Sequence, residues 1–310
     1  MRKTLTVLAL ACLLALLLVH PRPVPRPPEP VSAPPAPTPV LTKDPDVELQ
    51  RELERLVRDK QLWAAVEEGK LALLLVIVTD AERPRLAELN AHKMMYAASL
   101  PKIAILFGAA VAVQEGRLPL DKALRADMVN MIRYSCNDCA TRVLDRVGRE
   151  DLIELLQAPY YRFYDAEDGG GLWVGKDYAP TPAYQRDPVH HLSHGATAYQ
   201  VARFYHMLDT GTLVGPETAA LMHDALSRPG IQHKFVQSLG SIPGLQMMRK
   251  SGTWRQFHAD SALVRYRGQS YIIVGLTQDE NGGKWLASLA RPMHDLAMAQ
   301  AQNARRLAKL

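Results

Sequence analysis

The chain has 310 residues, of which 47% are hydrophobic and 22% are charged, and its formal net charge is +5. This apolar fraction is enough for a buried core, and the share of charged residues is ordinary for a globular protein. Much of the positive charge lies within the first 30 residues. The rest of the chain therefore has no concentrated basic stripe, which excludes nucleic acid as an expected partner.

The N-terminus has the pattern of a targeting segment. Arg2 and Lys3 precede a predominantly apolar run over residues 5–19. A run of that length is typical of a signal sequence and short for a transmembrane helix. Residues 1–20 are predicted to be a retained membrane anchor, a cleaved signal peptide or, with Cys12 as the acylated residue, a lipoprotein signal. Each alternative places the rest of the chain in the periplasm or cell envelope, and a retained segment would tether it to the inner membrane.

Residues 21–43 are predicted to form a linker. Ten prolines fall within residues 21–39, a density that no packed core uses. Such a run adopts an extended polyproline conformation and would span about 60 Å at roughly 3.1 Å per residue. The folded domain is then expected to occupy residues 44–310.

Periodicity of the apolar residues predicts the elements of this domain. In chain order they are a helix at 47–69, strands at 71–78 and 86–92, helices at 103–114, 124–134, 137–147 and 149–156, a long irregular segment at 158–195, helices at 196–213 and 216–227, strands at 245–250, 260–266 and 271–277, and a helix at 285–309. Strands at both ends with helices between them predict an α+β fold. One antiparallel sheet is built from both ends of the domain, is flanked by helices and carries an inserted helical lobe.

Three short strings at the joints between these elements carry reactive side chains. They are Ser99-Leu-Pro-Lys102 at the start of a buried helix, Ser135-Cys-Asn137 between two helices, and Lys250-Ser-Gly252 on a strand. Positions i and i+3 of a helix face the same way, so Ser99 and Lys102 are expected to be neighbours. Each string alone is common, but their order and placement together favour a serine nucleophile with a lysine base.

A lysine accepts a proton only when it is neutral, and its ordinary pKa of about 10.4 leaves little neutral amine at pH 7. Burial and a nearby second cation both disfavour the charged form and lower that pKa. The apolar helix around Lys102 predicts burial, and Lys250 is a candidate for the second cation. We therefore predict that the pKa of Lys102 lies well below its ordinary value.

The cysteines and histidines give weaker signals. Cys136 and Cys139 form a C-x-x-C pattern, which is interpreted as a pair of small packing residues, with a disulfide as the alternative. His190, His191 and His194 lie close together but lack a neighbouring acid with metal-ligand spacing. No metal or other cofactor is expected.

The three strings resemble the S-x-x-K, S-D-N and K-T-G motifs of the penicillin-recognising serine hydrolases, in particular the class A β-lactamases. The resemblance covers roughly residues 50–300. It implies that Ser99 is the nucleophile, Lys102 its base, and Ser135 the relay that passes a proton to the leaving nitrogen. Asn137 would hold the amide side chain of the substrate.

The third string has its own implied roles. By the same resemblance, Lys250 and Ser251 face a carboxylate of the substrate. The backbone amides of Ser99 and Thr253 would form the oxyanion hole.

The chain also departs from the class A pattern. Cys136 stands where class A enzymes usually have aspartate, and Ser135 follows Ser99 by only 36 positions, which indicates a reduced helical lobe. No E-x-x-L-N string lies between the second and third motifs, although its glutamate activates the deacylating water in class A enzymes. Glu167 is the nearest acid by position and is the candidate deacylation base, with a histidine at 190–194 or Lys102 itself as alternatives.

Together these features predict a β-lactamase-like serine hydrolase that forms an acyl-enzyme at Ser99 and hydrolyses β-lactams. A D,D-peptidase, or another amide or ester hydrolase on the same scaffold, is the first alternative. A domain that binds cell-wall peptide or β-lactam without turnover is the second. We expect the chain to act as a monomer on such a small molecule or peptide.

Overall fold

A computed structural model describes residues 41, 44–78, 80 and 83–307 of the chain, and side chains as far as residue 300. Its strands are β1 (Leu71–Ile77), β2 (Arg85–Leu89), β3 (Met95–Tyr96), β4 (Tyr164–Asp165), β5 (Gly170–Gly171), β6 (Trp173–Val174), β7 (His194–Ala196), β8 (Gln246–Trp254), β9 (Phe257–Tyr266) and β10 (Gln269–Gln278). Its helices are α1 (Val47–Asp59), α2 (Trp63–Glu67), α3 (Lys102–Gln114), α4 (Lys122–Arg133), α5 (Asn137–Val147), α6 (Arg149–Gln157), α7 (Ala198–Asp209), α8 (Pro216–Leu226), α9 (Phe235–Leu239) and α10 (Gly282–Leu307). The predicted targeting segment, and the linker apart from its residue 41, lie outside the described residues.

The central sheet has the order β2-β1-β10-β9-β8 and is antiparallel throughout. Strands from the start and the end of the domain meet where β1 pairs with β10, from Leu71 opposite Thr277 to Ile77 opposite Tyr271. The predicted sheet built from both ends of the domain is thus confirmed. β8 is an edge strand, and its second half carries the Lys250 string.

Helices cover both faces of the sheet, which explains why β1 is apolar at every position. Side chains of Ala72, Leu74 and Val76 belong to one hydrophobic cluster, with α3, α7 and the other helices of the inserted lobe. The alternate side chains, among them Leu73 and Leu75, belong to a second cluster with α1 and α10. Because neighbouring side chains of a strand point to opposite faces, a strand buried on both sides has no polar position.

Several predicted boundaries differ from the structure. The helix expected over 47–69 is two helices, separated at Gln61, whose φ is +58°. β8 and β9 are longer than predicted because they continue to a tight hairpin at Arg255, where φ is +51°. Leu41, placed in the predicted linker, is buried, and its carbonyl accepts a hydrogen bond from the Tyr199 hydroxyl at 2.7 Å.

α3 is the central helix of the inserted lobe. Eleven of its thirteen residues, from Lys102 to Ala112, are buried. Lys102 is the only charged residue among them, and it lies in the first turn. A charge at the end of an otherwise apolar helix is costly to bury unless polar groups surround it, so a buried lysine at this position is unusual.

Among the described residues, no helix is both long and apolar enough to cross a membrane.

Candidate active site

Ser99 lies in a turn that leads into α3. The helix begins at Lys102 rather than at Ser99, and the Lys102 N–H donates to the Ser99 carbonyl at 3.3 Å. Ala98, immediately before the serine, has a left-handed φ of +51°. Ser99 is half-buried and lines a cavity. Ser99 therefore precedes the helix rather than lying at its start, but Ser99 and Lys102 still belong to one turn.

Lys102 is completely buried, and its amine is hydrogen-bonded to a backbone carbonyl and a side-chain amide of the Ser135-Cys-Asn137 string. Its Nζ donates to the Ser135 carbonyl and to Asn137 Oδ1, each at 2.7 Å. The Tyr178 ring lies on another side, with its centroid 4.3 Å from Nζ. Burial lowers the pKa of Lys102 to about 7. A large fraction of the amine is thus neutral near pH 7, as a base requires.

Ser135 connects the two lysines. Its carbonyl accepts from Lys102, and its hydroxyl accepts from Lys250 Nζ at 2.9 Å. The residue lies between α4 and α5 with a φ of +60°, a left-handed conformation uncommon outside glycine and asparagine. Such local strain persists only where surrounding contacts hold it, and it is often found at functional sites.

Lys250 is buried on β8, and burial lowers its pKa well below the ordinary value. The nearby positive charges of Lys102, Arg249 and Lys234 lower it further. Its ammonium also donates to the Ser251 carbonyl at 2.5 Å. Proton loss from either Lys102 or Lys250 therefore stabilises the charge on the other, and Ser135 is the group between them.

A disulfide bond joins Cys136 to Cys139, so the preferred interpretation of this pair as packing residues was wrong. Cys136 is the N-cap of α5 and Cys139 lies in its first turn, with 5.3 Å between their Cα atoms. That separation is within the range that a disulfide spans. The bridge directly follows Ser135 and encloses Asn137, so it constrains the turn that presents both side chains.

β8 reaches the nucleophile turn at Gly252. A Cβ on this residue would lie 2.2 Å from the Ala97 carbonyl oxygen and 2.9 Å from the Ser99 nitrogen. Contacts that short are impossible, so only glycine permits this approach of strand and turn. The next residue, Thr253, lines the same cavity as Ser99, whereas Ser251 is buried.

The cavity has a volume of about 690 Å³ and a mixed lining. One side is aromatic: the Tyr96 and Phe257 rings meet at 5.2 Å, and Trp254 is 55% exposed beside them. Lys176 and Arg186 add positive charge to the lining. A cavity of this size and character suits a small molecule with a negative charge and an apolar substituent.

Of the three predicted deacylation candidates, one lines the cavity and one contacts residues that line it. His194 lines it, and burial lowers its pKa to about 4, so its imidazole is neutral near pH 7. Lys102 is already in the centre of the site. Glu167 is exposed in the turn between β4 and β5 and is not among the lining residues. His190 also faces away, with its Nε2 3.0 Å from the Gly169 carbonyl oxygen.

Sequence reasoning missed the lining residues of the 158–195 segment apart from His194, and two of these need comment. Asp177 carries the one carboxylate among the described residues that line the cavity, and Arg149 binds it at 2.9 Å. Tyr178 covers Lys102, and its hydroxyl donates to the Ala98 carbonyl at 3.2 Å. The composition of the segment predicted a functional loop but gave no reason to choose these positions. Lys234, a buried residue behind β8, was also missed.

The site combines serine and lysine side chains. Within the described part of the chain, no group of three or more histidine, cysteine or acidic side chains has the arrangement of a metal site. Instead, the half-buried Ser99 lines the cavity, and the buried Lys102, whose pKa is lowered, is joined through Ser135 to a second buried lysine, Lys250. These are side-chain types that can act as nucleophile, base and proton relay in acyl transfer.

Comparisons with known proteins agree with this geometry. The model of the β-lactamase enzyme family matches residues 123–301, more than half of the chain. No curated protein sequence matches significantly.

Solved structures match over most of the chain at low identity. PBP-A in an acyl-enzyme complex with penicillin G, as a point mutant, is 18% identical, with 83% of this chain and 98% of that chain covered and a TM-score of 0.60. A β-lactamase from Sphaerobacter thermophilus is 17% identical, covering 78% of this chain and 95% of that chain with a TM-score of 0.59. A variant of the last common ancestor of class A β-lactamases of Gram-negative bacteria is 16% identical. It covers 82% of this chain and 100% of that chain, with a TM-score of 0.63. The fold is thus that of the class A β-lactamases and PBP-A, and the chain belongs to the β-lactamase enzyme family.

Proposed function

We propose that the protein is a serine hydrolase that opens β-lactam rings by forming an acyl-enzyme at Ser99, and that it releases the product slowly. The observation that carries this proposal is the position of Ser135 between two buried lysines, beside the turn that holds Ser99. A buried lysine with a pKa of about 7 has little structural purpose and is well suited to proton transfer.

In the acylation step, neutral Lys102 removes the proton of the Ser99 hydroxyl as its oxygen attacks the carbonyl carbon of the lactam. The negative charge on the carbonyl oxygen is stabilised by the backbone amides of Ser99 and Thr253. The C–N bond of the ring then breaks, and Ser135 passes its hydroxyl proton to the leaving nitrogen while it takes up a proton from Lys250, which donates to that hydroxyl at 2.9 Å. The hydrogen bond from Lys250 to the Ser135 hydroxyl supports this relay, and the bond from Lys102 to the Ser135 carbonyl holds the first lysine beside it.

Substrate binding is assigned to the other residues of the strings. Asn137 lines the cavity and binds the amide side chain of the substrate, while its Oδ1 accepts from Lys102. Lys250, Ser251 and Thr253 bind the substrate carboxylate along β8. The positive charges of Lys176 and Arg186 favour the same anionic substrates.

Deacylation requires a base within hydrogen-bond distance of the attacking water. Asp177 is paired with Arg149, and Glu167 lies outside the cavity, so neither carboxylate is placed to serve. Tyr178 occupies the space next to Lys102, and burial raises its pKa well above 10, so the phenol does not act as a base either.

His194 lines the cavity, but its Nε2 lies 3.0 Å from the Lys176 carbonyl oxygen, and burial lowers its pKa to about 4, so its imidazole is a weak base. Lys102 is enclosed by its bonds to Ser135 and Asn137 and by the Tyr178 ring. These features support an acyl-enzyme that accumulates.

The same features favour one alternative. An enzyme that acylates readily and deacylates slowly has the properties of a D,D-peptidase that β-lactams inhibit. A mutant of PBP-A, which shares the fold, is seen in an acyl-enzyme complex with penicillin G. A domain that binds cell-wall peptide or β-lactam without turnover is the remaining alternative.

We place the domain outside the cytoplasm, in the periplasm or cell envelope, with membrane association through residues 1–20. The disulfide supports this, because such bonds form and persist in oxidising compartments. Fractionation of cells that produce the full-length chain tests the placement, and recovery entirely in the cytosol would contradict it.

Three measurements on the purified full-length chain separate the activities. Intact mass after exposure to penicillin is expected to show one stable adduct. A chromogenic cephalosporin is expected to be hydrolysed slowly, and release of D-alanine from a peptide ending in D-Ala-D-Ala would establish the peptidase alternative. Failure of any penicillin to form an adduct would contradict the proposed acyl-enzyme.

A further inference from the structure

Lys234 lies directly behind the part of β8 that faces the nucleophile. It precedes α9 in the chain and is 97% buried, with a left-handed φ of +55°. Its Nζ donates to the Gly252 carbonyl at 2.6 Å, to Thr253 Oγ1 at 2.7 Å and to the Ala259 carbonyl at 3.1 Å. Three acceptors match the three protons of an ammonium group, so the contacts fit the charged form of the side chain.

The peptide bond that Lys234 binds is the one whose amide we assign to the oxyanion hole. The Gly252 carbonyl and the Thr253 N–H belong to the same peptide group, and the described part of the chain contains no cis peptide. In a trans peptide the carbonyl and the N–H point in opposite directions. Since the carbonyl points back to Lys234, the Thr253 N–H points away from it.

The environment on that opposite side is the active site. Thr253 lines the cavity that holds Ser99, and it also lines the separate cavity that contains Lys234. Gly252 contacts the nucleophile turn, where an added Cβ would lie 2.9 Å from the Ser99 nitrogen. The Gly252–Thr253 peptide group therefore lies between two sites: the buried Lys234 contacts its carbonyl, and Ser99 lies on the side of its N–H.

A cation at the carbonyl end of a peptide withdraws electron density and makes the N–H a stronger donor. We propose that the Lys234 ammonium polarises the Gly252–Thr253 peptide and so strengthens the oxyanion hole, acting as a positioning residue that never touches substrate. This inference rests on the proposed acylation of Ser99. It assigns a role to a lysine that lies outside all three motif strings.

Other charged groups around Lys234 bear on its protonation. Arg249 on β8 and Asp260 on β9 form a buried ion pair at 2.7 Å, and Asp260 also accepts from the Phe235 N–H at the start of α9. Asp260 favours the ammonium, whereas burial and Arg249 disfavour it, and the pKa of Lys234 is lowered to about 8. The other titratable groups nearby are His233 on the same loop, His258 on β9 and Lys250 on β8. Glu280 and Lys284 line the same cavity as Lys234.

The decisive experiment measures the acyl carbonyl itself. Lys234→Met removes the cation with little change of side-chain volume, and the penicilloyl ester of the variant is examined by infrared difference spectroscopy. A weaker oxyanion hole raises the stretching frequency of the ester carbonyl, so we expect a shift to higher wavenumber. We also expect penicillin acylation to be about tenfold slower, a fraction of the roughly 100-fold loss that follows removal of a whole oxyanion donor.

Lys284→Met is the matched control. Lys284 lines the same rear cavity, but it is exposed and has one 3.5 Å contact, to Asn281. This variant is expected to keep the wild-type rate and carbonyl frequency. A folded Lys234→Met variant with an unshifted carbonyl would overturn the proposal whatever its rate, because a purely structural role slows acylation without changing the ester.

A second measurement applies if Lys234→Met does not fold. The wild-type acyl-enzyme is formed at pH 6.5 and transferred to buffers up to pH 9.5. The ester carbonyl frequency is expected to rise as Lys234 loses its proton around pH 8. A frequency independent of pH over this range would overturn the proposal, whereas absence of any adduct in the wild type would instead overturn the proposed function.

Discussion

The two sides of the active-site cavity are built differently. On the acylation side, Lys102, Ser135 and Lys250 are joined by hydrogen bonds of 2.7 to 2.9 Å across a helix, a turn and a strand. On the opposite side, the 158–195 segment presents Tyr178, and Asp177 already paired with Arg149. The first side is a connected network of two buried lysines and a serine. Among its described residues, the second side lines the cavity with one carboxylate, which is already paired, and with His194, whose pKa is lowered to about 4. This difference is the basis for our proposal that the site supports acylation and that deacylation is slow.

Replacement of the nucleophile tests the acylation side most directly. Ser99→Ala is expected to abolish the covalent adduct with penicillin, because no other hydroxyl occupies that turn. Intact mass spectrometry after incubation with penicillin measures it. Thermal unfolding should match the wild type to within about 1 kcal/mol, since the position precedes the helix. An adduct on the alanine variant would show that another residue is the nucleophile.

Removal of the base is expected to have the next largest effect. Lys102→Met should slow penicillin acylation by about 10³-fold, within the usual range for loss of a general base. Stopped-flow labelling with a fluorescent penicillin measures the rate. Lys122→Met, an exposed change at the start of α4, serves as the control and should have no effect. If the Lys102 variant acylated at the wild-type rate, Lys102 would not be the base.

The pH dependence of acylation should follow the same group. Burial holds the pKa of Lys102 at about 7, and the neutral amine is the active form. The rate should therefore rise with pH through 7 and fall about tenfold per unit below pH 6. The same labelling assay between pH 5 and 8 measures it. A rate that is flat or decreases with pH over this range would contradict a lysine base.

The disulfide tests how much rigidity the acylation side needs. The double replacement Cys136→Ser with Cys139→Ser should slow acylation by about tenfold, because small displacements of a relay reduce rates strongly. Reduction of the wild type with dithiothreitol should give the same rate as the double variant. Dithiothreitol added to the double variant is the control and should change nothing. Equal rates for oxidised wild type and double variant would mean that the turn is held by Lys102 and Lys250 alone.

The smallest effects are expected on the deacylation side. Glu167→Gln and Asp177→Asn should each leave the lifetime of the penicilloyl-enzyme within about threefold of the wild type, because neither carboxylate is placed as a base. Loss of the adduct from intact mass over time measures the lifetime. A lifetime more than about tenfold longer in one variant would identify that residue as the deacylation base. It would contradict the view that this side of the cavity has no base in place.

Much of the acylation side could be predicted from the chain alone. Its residues lie in short strings at the ends of helices and on a strand, and local periodicity places those elements well. Cys136 and Cys139 show the limit, because the same spacing suits packing residues and a disulfide. The deacylation side could not be predicted, since a segment without periodic burial does not reveal which side chains reach a distant cavity. Glu167 was chosen by position along the chain, and the structure places it outside.

The sequence by itself determined an antiparallel sheet made from both ends of the domain, a buried helix behind Ser99, and the order of the three strings. Side-chain periodicity and the cost of burying polar groups are sufficient for that. Only the tertiary structure decided that Tyr178 covers Lys102, that Gly252 contacts the Ser99 turn, and that Lys234 binds the peptide of Thr253. Those contacts join residues far apart in the chain, so their distances depend on how sheet and helices pack, and no local pattern encodes them.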